Sequence, residues 1–308
     1  MVVTTHVRMD ADGLGCAVAL CRTARAAGAE CRLVLPGPVP RRLGYLLGEE
    51  APAGADEFAA LADQADRIVV LDACTFAQLE PMAEPLRRLR EEVVVIDHHA
   101  TADDVGAVVW RDPSASSAGV MLAELLAELG WAIDAPAAQA LAAAVLSDTG
   151  WLRYSNTDAR SLRILAGLVS AGADLHGMYA RMYQSDRPAR LALLAAALSS
   201  LELHEVDQLA VMTLRREDFD AAGAAEDETE NIVNEPLRVA TVEVSAILVE
   251  QAGGGVRVGL RSRGSADVAK LAKQFGGGGH AQAAGFSLPG DADSVRATVI
   301  AACAEALH

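Results

Sequence analysis

"VVVIDHHAT" (residues 93–101) sets four apolar residues directly ahead of an Asp and two His. Val93, Val94, Val95 and Ile96 are all β-branched and show no polar alternation. That pattern fits a strand covered on both faces, as in a parallel sheet packed between helices. Ligands of such open sheets collect beyond the carboxyl ends of the strands. Asp97, His98 and His99 therefore emerge where chemistry usually sits. On the N-terminal side, "MVVTTHV" (1–7) and "RIVVLDA" (67–73) read as two more strands. Between them, "DGLGCAVALCRTARAAGAE" (12–30) reads as an Ala-rich helix that stops near Gly28. "FAQLEPMAEPLRRLREE" (76–92) reads as helical turns interrupted by prolines. On the C-terminal side, "SASSAGVMLAELLAELG" (114–130) is an amphipathic helix with Ser residues at its start and Gly130 past its end. "AQALAAAVLSDTG" (138–150) runs as a buried helix towards Asp148. The alternation of strands and helices predicts an α/β fold with a parallel sheet.

The texture changes after residue 175. "LHGMYARMYQSDRPARLALLAAALSSLEL" (175–203) is helical and broken at Pro188. Beyond it come shorter strand-like runs, with Gly253–Gly255 joining two of them in a hairpin. The expected organisation is a first domain over 1–186, a helical linker over 187–203, and a smaller mixed α+β domain over 204–308. A length of 308 residues suits roughly two domains. An apolar content of 52% is ample for both cores. The net charge of −16 excludes broad coating of long duplex DNA, which needs a basic surface. It leaves room for a local cationic pocket for a small phosphorylated ligand. Five scattered cysteines without a CxxC pair disfavour a zinc knuckle and suit a reducing cytoplasm. The N-terminus has no signal-peptide pattern, and no uncharged stretch reaches the roughly 20 residues that span a bilayer. A soluble cytoplasmic protein is expected.

Four apolar segments each end on residues suited to metal ligation: His6 with Asp10 and Asp12, Asp72, Asp97–His98–His99, and Asp148. A single Asp after a strand is usually a helix cap, and a single His is more often structural than catalytic. Their coincidence at one sheet edge is the informative feature. Asp10, Asp12, Asp72 and Asp148 brought together would repel one another or hold protons. Two divalent cations would cancel their four charges. With His6 and His98 the donor set is oxygen-rich with some imidazole, which suits manganese better than calcium or thiolate-bound zinc. Two such ions about 3.5–4 Å apart would activate a water for attack on phosphorus. In the second domain, "KQFGGGGHAQAAGF" (273–286) carries four glycines, Gly276 to Gly279, followed by His280. Glycines forgo side-chain packing and let a ligand approach backbone N–H groups, as in anion nests. "GLRSRG" (259–264) supplies Arg261 and Arg263, whose forked donors suit phosphate and which strand alternation puts on one face.

"HVRMDADG", "VVLDAC", "VVVIDHH" and "LSDTGWLRYSNT", in that order, resemble the four motifs of DHH phosphoesterases. "RSRG" with "FGGGGHAQAAG" resembles the accompanying DHHA1 domain. Length, "SDTGWLRYSNT" and "ETENIVN" look most similar to the small oligoribonuclease and pAp-phosphatase branch. The resemblance implies a parallel-sheet DHH domain, a smaller α+β DHHA1 domain and a site in the cleft between them. It implies two Mn²⁺, with Mg²⁺ or Co²⁺ as substitutes. His6, Asp10 and Asp72 would hold one ion, and Asp12, Asp72, His98 and Asp148 the other. His99 would meet the scissile phosphate and Asp97 would orient its neighbours. Arg261, Arg263, Gly277, Gly278, Gly279 and His280 would bind substrate. Implied partners are short RNA oligonucleotides and small phosphorylated nucleotides, with a homodimer as the assembly. The implied reaction is hydrolysis of short RNA to mononucleotides, and of pAp to AMP. The rivals are cleavage of a cyclic dinucleotide or pApA, and a single-strand exonuclease activity. Motif one departs from this branch: Met9-Asp10-Ala11-Asp12-Gly13 stands where Pro-Asp-Gly-Asp-Ala is usual. Motif two, "DACTFAQLE", lacks the Arg that often follows its Asp.

Overall fold

A computed structural model describes residues 1–264 and 266–307, with two compact units over Met1–Ser185 and Asp186–His308. The first unit runs β1 (Val2–Thr4), α1 (Ala11–Ala26), β2 (Arg32–Leu33), α2 (Ala55–Ala62), β3 (Ile68–Leu71), α3 (Ala83–Arg88), β4 (Val93–Asp97) and β5 (Val108–Arg111). Four helices follow: α4 (Ala118–Glu128), α5 (Ala135–Asp148), α6 (Ala159–Ser170) and α7 (Leu175–Tyr183). The strands form one sheet in the order β2-β1-β3-β4-β5 with every pairing parallel. Val93, Val95 and Ile96 are buried, as are all four residues of β3. One core packs α1, α4 and α5 on one side of this sheet, and a second core packs Phe58, Leu79, Met82 and Leu86 on the other. Covering both faces is what the unbroken β-branched run demands. The α1–α5 contact is close because half of α5 is alanine: a Cβ on Gly15 of α1 would stand 2.4 Å from the Ala140 carbonyl oxygen.

Two strands of this first sheet have no counterpart in the sequence reading. β2 has only two residues, and β5 is exposed along its whole length, so neither carries a buried apolar signature.

The second unit starts with α8 (Pro188–Ser199), β6 (Glu202–His204), β7 (Leu209–Leu214) and α9 (Arg216–Ala222). It continues with β8 (Val244–Glu250), β9 (Val256–Ser262), α10 (Val268–Gln274), β10 (Gly278–His280), β11 (Ala283–Leu288) and α11 (Ala292–Leu307). Its mixed sheet has the order β10-β11-β9-β8-β7-β6, in which only β7 and β8 run parallel. The stretch expected as a linker folds mostly as α8, which buries Leu193 and Ala197 against Met212, Leu214 and Phe219. Gly254 and Gly255 take positive φ in the β8–β9 hairpin.

Candidate metal centre

The carboxyl ends of β1, β3 and β4 bring His6, Asp72, Asp97, His98 and His99 to one edge of the first sheet. The N-terminus of α1 adds Asp10 and Asp12, and the last turn of α5 adds Asp148. Each contribution has a local cause. Asp10 is the N-cap of α1, its Oδ1 accepting from the Asp12 and Gly13 backbone N–H at 2.9 and 3.1 Å. Asp72 has φ +57°, a left-handed backbone uncommon for a residue with a side chain, while its N–H still donates to the Ile96 carbonyl. Such departures are characteristic of functional positions. Asp12 is fully buried and accepts from the first N–H groups of α4, Ala118 at 2.7 Å and Gly119 at 2.9 Å. A helix N-terminus thereby offsets part of its charge.

Three sets of donor atoms each lie within 4.8 Å of one another: His6–Asp10–Asp72, Asp12–His98–Asp148 and Asp72–His98–His99. His6 Nε2 is 3.5 Å from Asp10 Oδ1 and 3.4 Å from Asp72 Oδ2. His98 Nε2 is 3.2 Å from Asp148 Oδ2, 3.4 Å from Asp72 Oδ1 and 3.6 Å from Asp12 Oδ2. Ligands on one ion with bonds of about 2.1 Å stand about 3 Å apart, so these spacings suit a shared coordination sphere. The donors around His6 and those around His98 meet at Asp72, whose two oxygens face different imidazoles. His6 Nε2, Asp72 Oδ1 and His98 Nε2 are buried and make no well-directed hydrogen bond among the described residues. Buried polar atoms are almost always satisfied. Three orphans aimed into one acidic cage fit a bound cation. His98 turns its Nδ1 to the Ala115 carbonyl at 3.3 Å, which leaves Nε2 for the cage.

The charges agree. Burial works against a proton on His6, yet Asp10 and Asp72 outweigh it and raise its pKa to about 10. His98 is likewise raised to about 11, with Asp148, Asp72 and Asp12 overcoming burial. Burial, and then the Asp72 and Asp148 charges, push the Asp12 carboxyl well above its usual range. The cage attracts positive charge strongly enough to take protons where no ion is held. Beside it, the fully buried Asp97 accepts from His99 Nδ1 at 2.8 Å, and this pairing raises the His99 pKa. Nδ1 is thus committed, and Nε2 of this half-exposed ring is left to face a ligand.

Sequence reasoning passed over several supports of this cage. A Cβ on Gly13 would stand 2.2 Å from Thr5 Oγ1 and 2.7 Å from His6 Nε2, so the Gly in "DADG" lets α1 press against His6. Arg111 donates to the Ala100 carbonyl at 2.7 Å and to the His99 carbonyl at 3.3 Å, holding the loop after β4. Asn156 Nδ2 bridges the carbonyls of Asp148 and Ser116 at 3.0 and 3.2 Å. None of these has a chain signal apart from proximity to a motif.

In the second unit, Arg261 lies on β9 and donates to the Leu260 carbonyl at 2.9 Å. Arg263 falls just past β9 and donates to the carbonyls of Leu237, Val239 and Ala240, so its guanidinium holds the turn after residues 232–238. Packing does account for two of the four glycines. A Cβ on Gly277 would stand 2.2 Å from the Gly285 carbonyl oxygen, and one on Gly279 2.3 Å from that of Ala283, because β10 lies tight against β11. Gly276 closes α10 with φ +75°. Gly278 faces open space, as Gly276 does, but without a positive φ. His280 ends β10, and its side chain lies outside the described residues.

Residues 1–147 match the DHH family, N-terminal domain, and residues 207–305 match the DHHA1 domain. The bifunctional oligoribonuclease and PAP phosphatase NrnA of Thermus thermophilus is 30% identical, covering 99% of this chain and 89% of its own. The Bacillus subtilis protein of the same description is 24% identical over 99% of this chain and 95% of its own. Among solved structures, an exopolyphosphatase-related protein from Bacteroides fragilis superposes with a TM-score of 0.89 at 24% identity, over 99% of this chain and 91% of that one. With both domain models matched in order and a 30%-identical relative aligned nearly end to end, the chain belongs to the DHH family of phosphoesterases.

Proposed function

We propose that this chain hydrolyses short oligoribonucleotides to mononucleotides, with pAp as a second substrate, using two Mn²⁺ held by His6, Asp10, Asp12, Asp72, His98 and Asp148. The observation that carries the reading is the pair of donor sets joined at Asp72, in a chain alike nearly end to end to proteins described as oligoribonucleases and PAP phosphatases. Held by these residues, a divalent pair would supply Lewis-acid charge for phosphoryl oxygens and would acidify a water. The chain's own residues do the rest. Asp97 fixes the His99 ring so that Nε2–H donates to a phosphoryl oxygen, stabilising the charge that grows there. Arg111 keeps the His99 backbone in place. In the second unit, Arg261, Arg263, Gly277, Gly278, Gly279 and His280 are the proposed substrate-binding residues. Gly278, where no side chain is excluded by packing, is the glycine that best suits a ligand's approach. Arg263 reaches a phosphate only by releasing carbonyls it now holds.

We assign the chain to the cytoplasm as a homodimer; no described helix is long and apolar enough to cross a membrane. The decisive experiment is product analysis on labelled RNA of two to ten nucleotides, alongside pAp, pApA and cyclic di-AMP, with Mn²⁺, Mg²⁺ or Co²⁺. Mononucleotides from the shortest RNAs are expected. Turnover of cyclic di-AMP with none of the linear substrates cleaved would replace this reading.

A further inference from the structure

The loop that follows Asp148 helps to form an aromatic surface that the chemistry above does not use. After Asp148 the backbone is left-handed at three successive residues, Gly150, Trp151 and Leu152, with φ of 54°, 57° and 64°. This turn swings Trp151 back so that its N–H bonds the Leu146 carbonyl at 2.7 Å. The Trp151 ring then meets Tyr179 and Tyr183 edge-on, with centroids 5.1 and 5.7 Å away. Those two tyrosines stand one turn apart on α7, 5.1 Å from each other. Tyr154 closes the set. Its ring lies directly over Gly150, where a Cβ would be 2.5–2.6 Å from three ring atoms. Tyr154 is 57% exposed, Tyr179 43% and Tyr183 42%.

Exposed aromatics on a globular protein are often incidental, but three features make this group unusual. Gly150 is shaped around the Tyr154 ring, so the ring is held flat against backbone by construction. The loop is tied to the ligand-bearing residue, because Asn156 donates to the Asp148 carbonyl at 3.0 Å. Two cations stand close by in a chain of net charge −16: Arg42 and Arg153 lie near enough to act on the Tyr183 phenol. Flat exposed rings with arginines near them are the chemistry of single-stranded nucleic-acid binding. Stacking serves any base, and the cations attract the backbone.

We infer that Tyr154, backed by Gly150 and near the Trp151–Tyr179–Tyr183 cluster, forms a stacking subsite for a nucleobase of a short oligonucleotide whose phosphate lies at the acidic cage. This rests on the phosphoesterase reading and adds a determinant of substrate class: affinity for bases as well as phosphates. Stripping the base, or replacing Tyr154 by Leu, removes one stacking contact, which is worth roughly 5- to 150-fold.

Two measurements test it. In the first, a trinucleotide carrying 5-iodouridine is irradiated with the full-length protein, and the crosslinked peptide is identified by mass spectrometry. Crosslinks at Tyr154, Tyr179 or Tyr183 are expected; crosslinks only elsewhere overturn the subsite whether or not the RNA is cleaved. In the second, kcat/KM for a trinucleotide is compared with that for its abasic counterpart. The ratio is expected to fall towards one in Tyr154→Leu and to persist in Tyr154→Phe. An unchanged ratio in Tyr154→Leu overturns the inference while leaving the phosphoesterase reading intact. If no linear phosphodiester is cleaved, that reading fails, and the crosslink map still decides the subsite.

Discussion

Asp72 carries more of the proposed mechanism than any other side chain, because its two oxygens face the two donor sets separately. Asp72→Ala removes a shared ligand from both, and activity is expected to fall by on the order of 10³-fold or more. Its circular dichroism is expected to match that of the parent, since Leu71 and the ladder of β3 are untouched. Parent-like turnover in this variant would rule out the two-ion arrangement. Asp97 acts at one remove. Its carboxylate fixes the His99 ring, so Asp97→Asn frees that ring while leaving the cage ligands intact. Supports of this kind typically contribute 10- to 100-fold. A kcat loss of that size with unchanged metal stoichiometry, measured by calorimetry, is the expected result. At this scale the motif residues were readable because each follows an apolar segment. The φ of Asp72, the grip of Arg111 and the pressure of Gly13 on His6 were not, since they arise only when separate segments meet.

Two elements make their own predictions. Asp112 follows β5 and joins the Ser114 hydroxyl at 2.6 Å and Arg160 of α6 at 2.6 Å, while Arg160 also holds Glu124 of α4. The Ser114 and Arg160 contacts lower the Asp112 pKa to about 2 from its ordinary 3.8. A depressed carboxyl stabilises the fold fully above pH 3.8, and that contribution is lost as pH falls through 2. The pair is partly exposed, so it is worth at most about 1 kcal/mol. Asp112→Asn should lower Tm by about 2–4 °C at pH 7, with the gap closing between pH 4 and 2. At the start of β10 and just before it, the glycines divide sharply. Gly277→Ala drives a methyl into the Gly285 carbonyl and should destabilise the second unit measurably. Gly278→Ala meets nothing and should keep Tm within the small range of surface substitutions while raising KM for oligonucleotides. An unaltered KM would remove Gly278 from the substrate site. The buried strands and Ala-rich helices were legible from hydrophobic pattern alone. β2 and β5 were not, because an exposed or two-residue strand gains its place from a neighbour's ladder. "GGGG" misled in part for the same reason: tight strand pairing demands glycine as strongly as a ligand does.

At the scale of the molecule, the cage concentrates negative charge in a chain already at −16. Self-repulsion of this kind opposes compactness, and protons or cations relieve it. Without an ion, His6 and His98 hold protons up to about pH 10 and 11. Groups raised in this way stabilise the fold fully below the ordinary His pKa of 6.5, and that share is lost as pH climbs through 10–11. A metal needs both imidazoles neutral, so binding must expel those protons, and apparent affinity must rise with pH between 6 and 9. An ion present at 100 times its Kd stabilises by about 2.7 kcal/mol. For a unit of this size that is an upward Tm shift of about 5–10 °C. Chelation followed by titration with Mn²⁺ should therefore raise the melting transition of the first unit saturably, more at pH 8 than at pH 6. Asp72→Ala should show little of the increment, whereas Gly278→Ala should show all of it. A shift of equal size in parent and Asp72→Ala would mean that the stabilising ion sits elsewhere, and that the acidic edge of the first sheet is held together by protons instead.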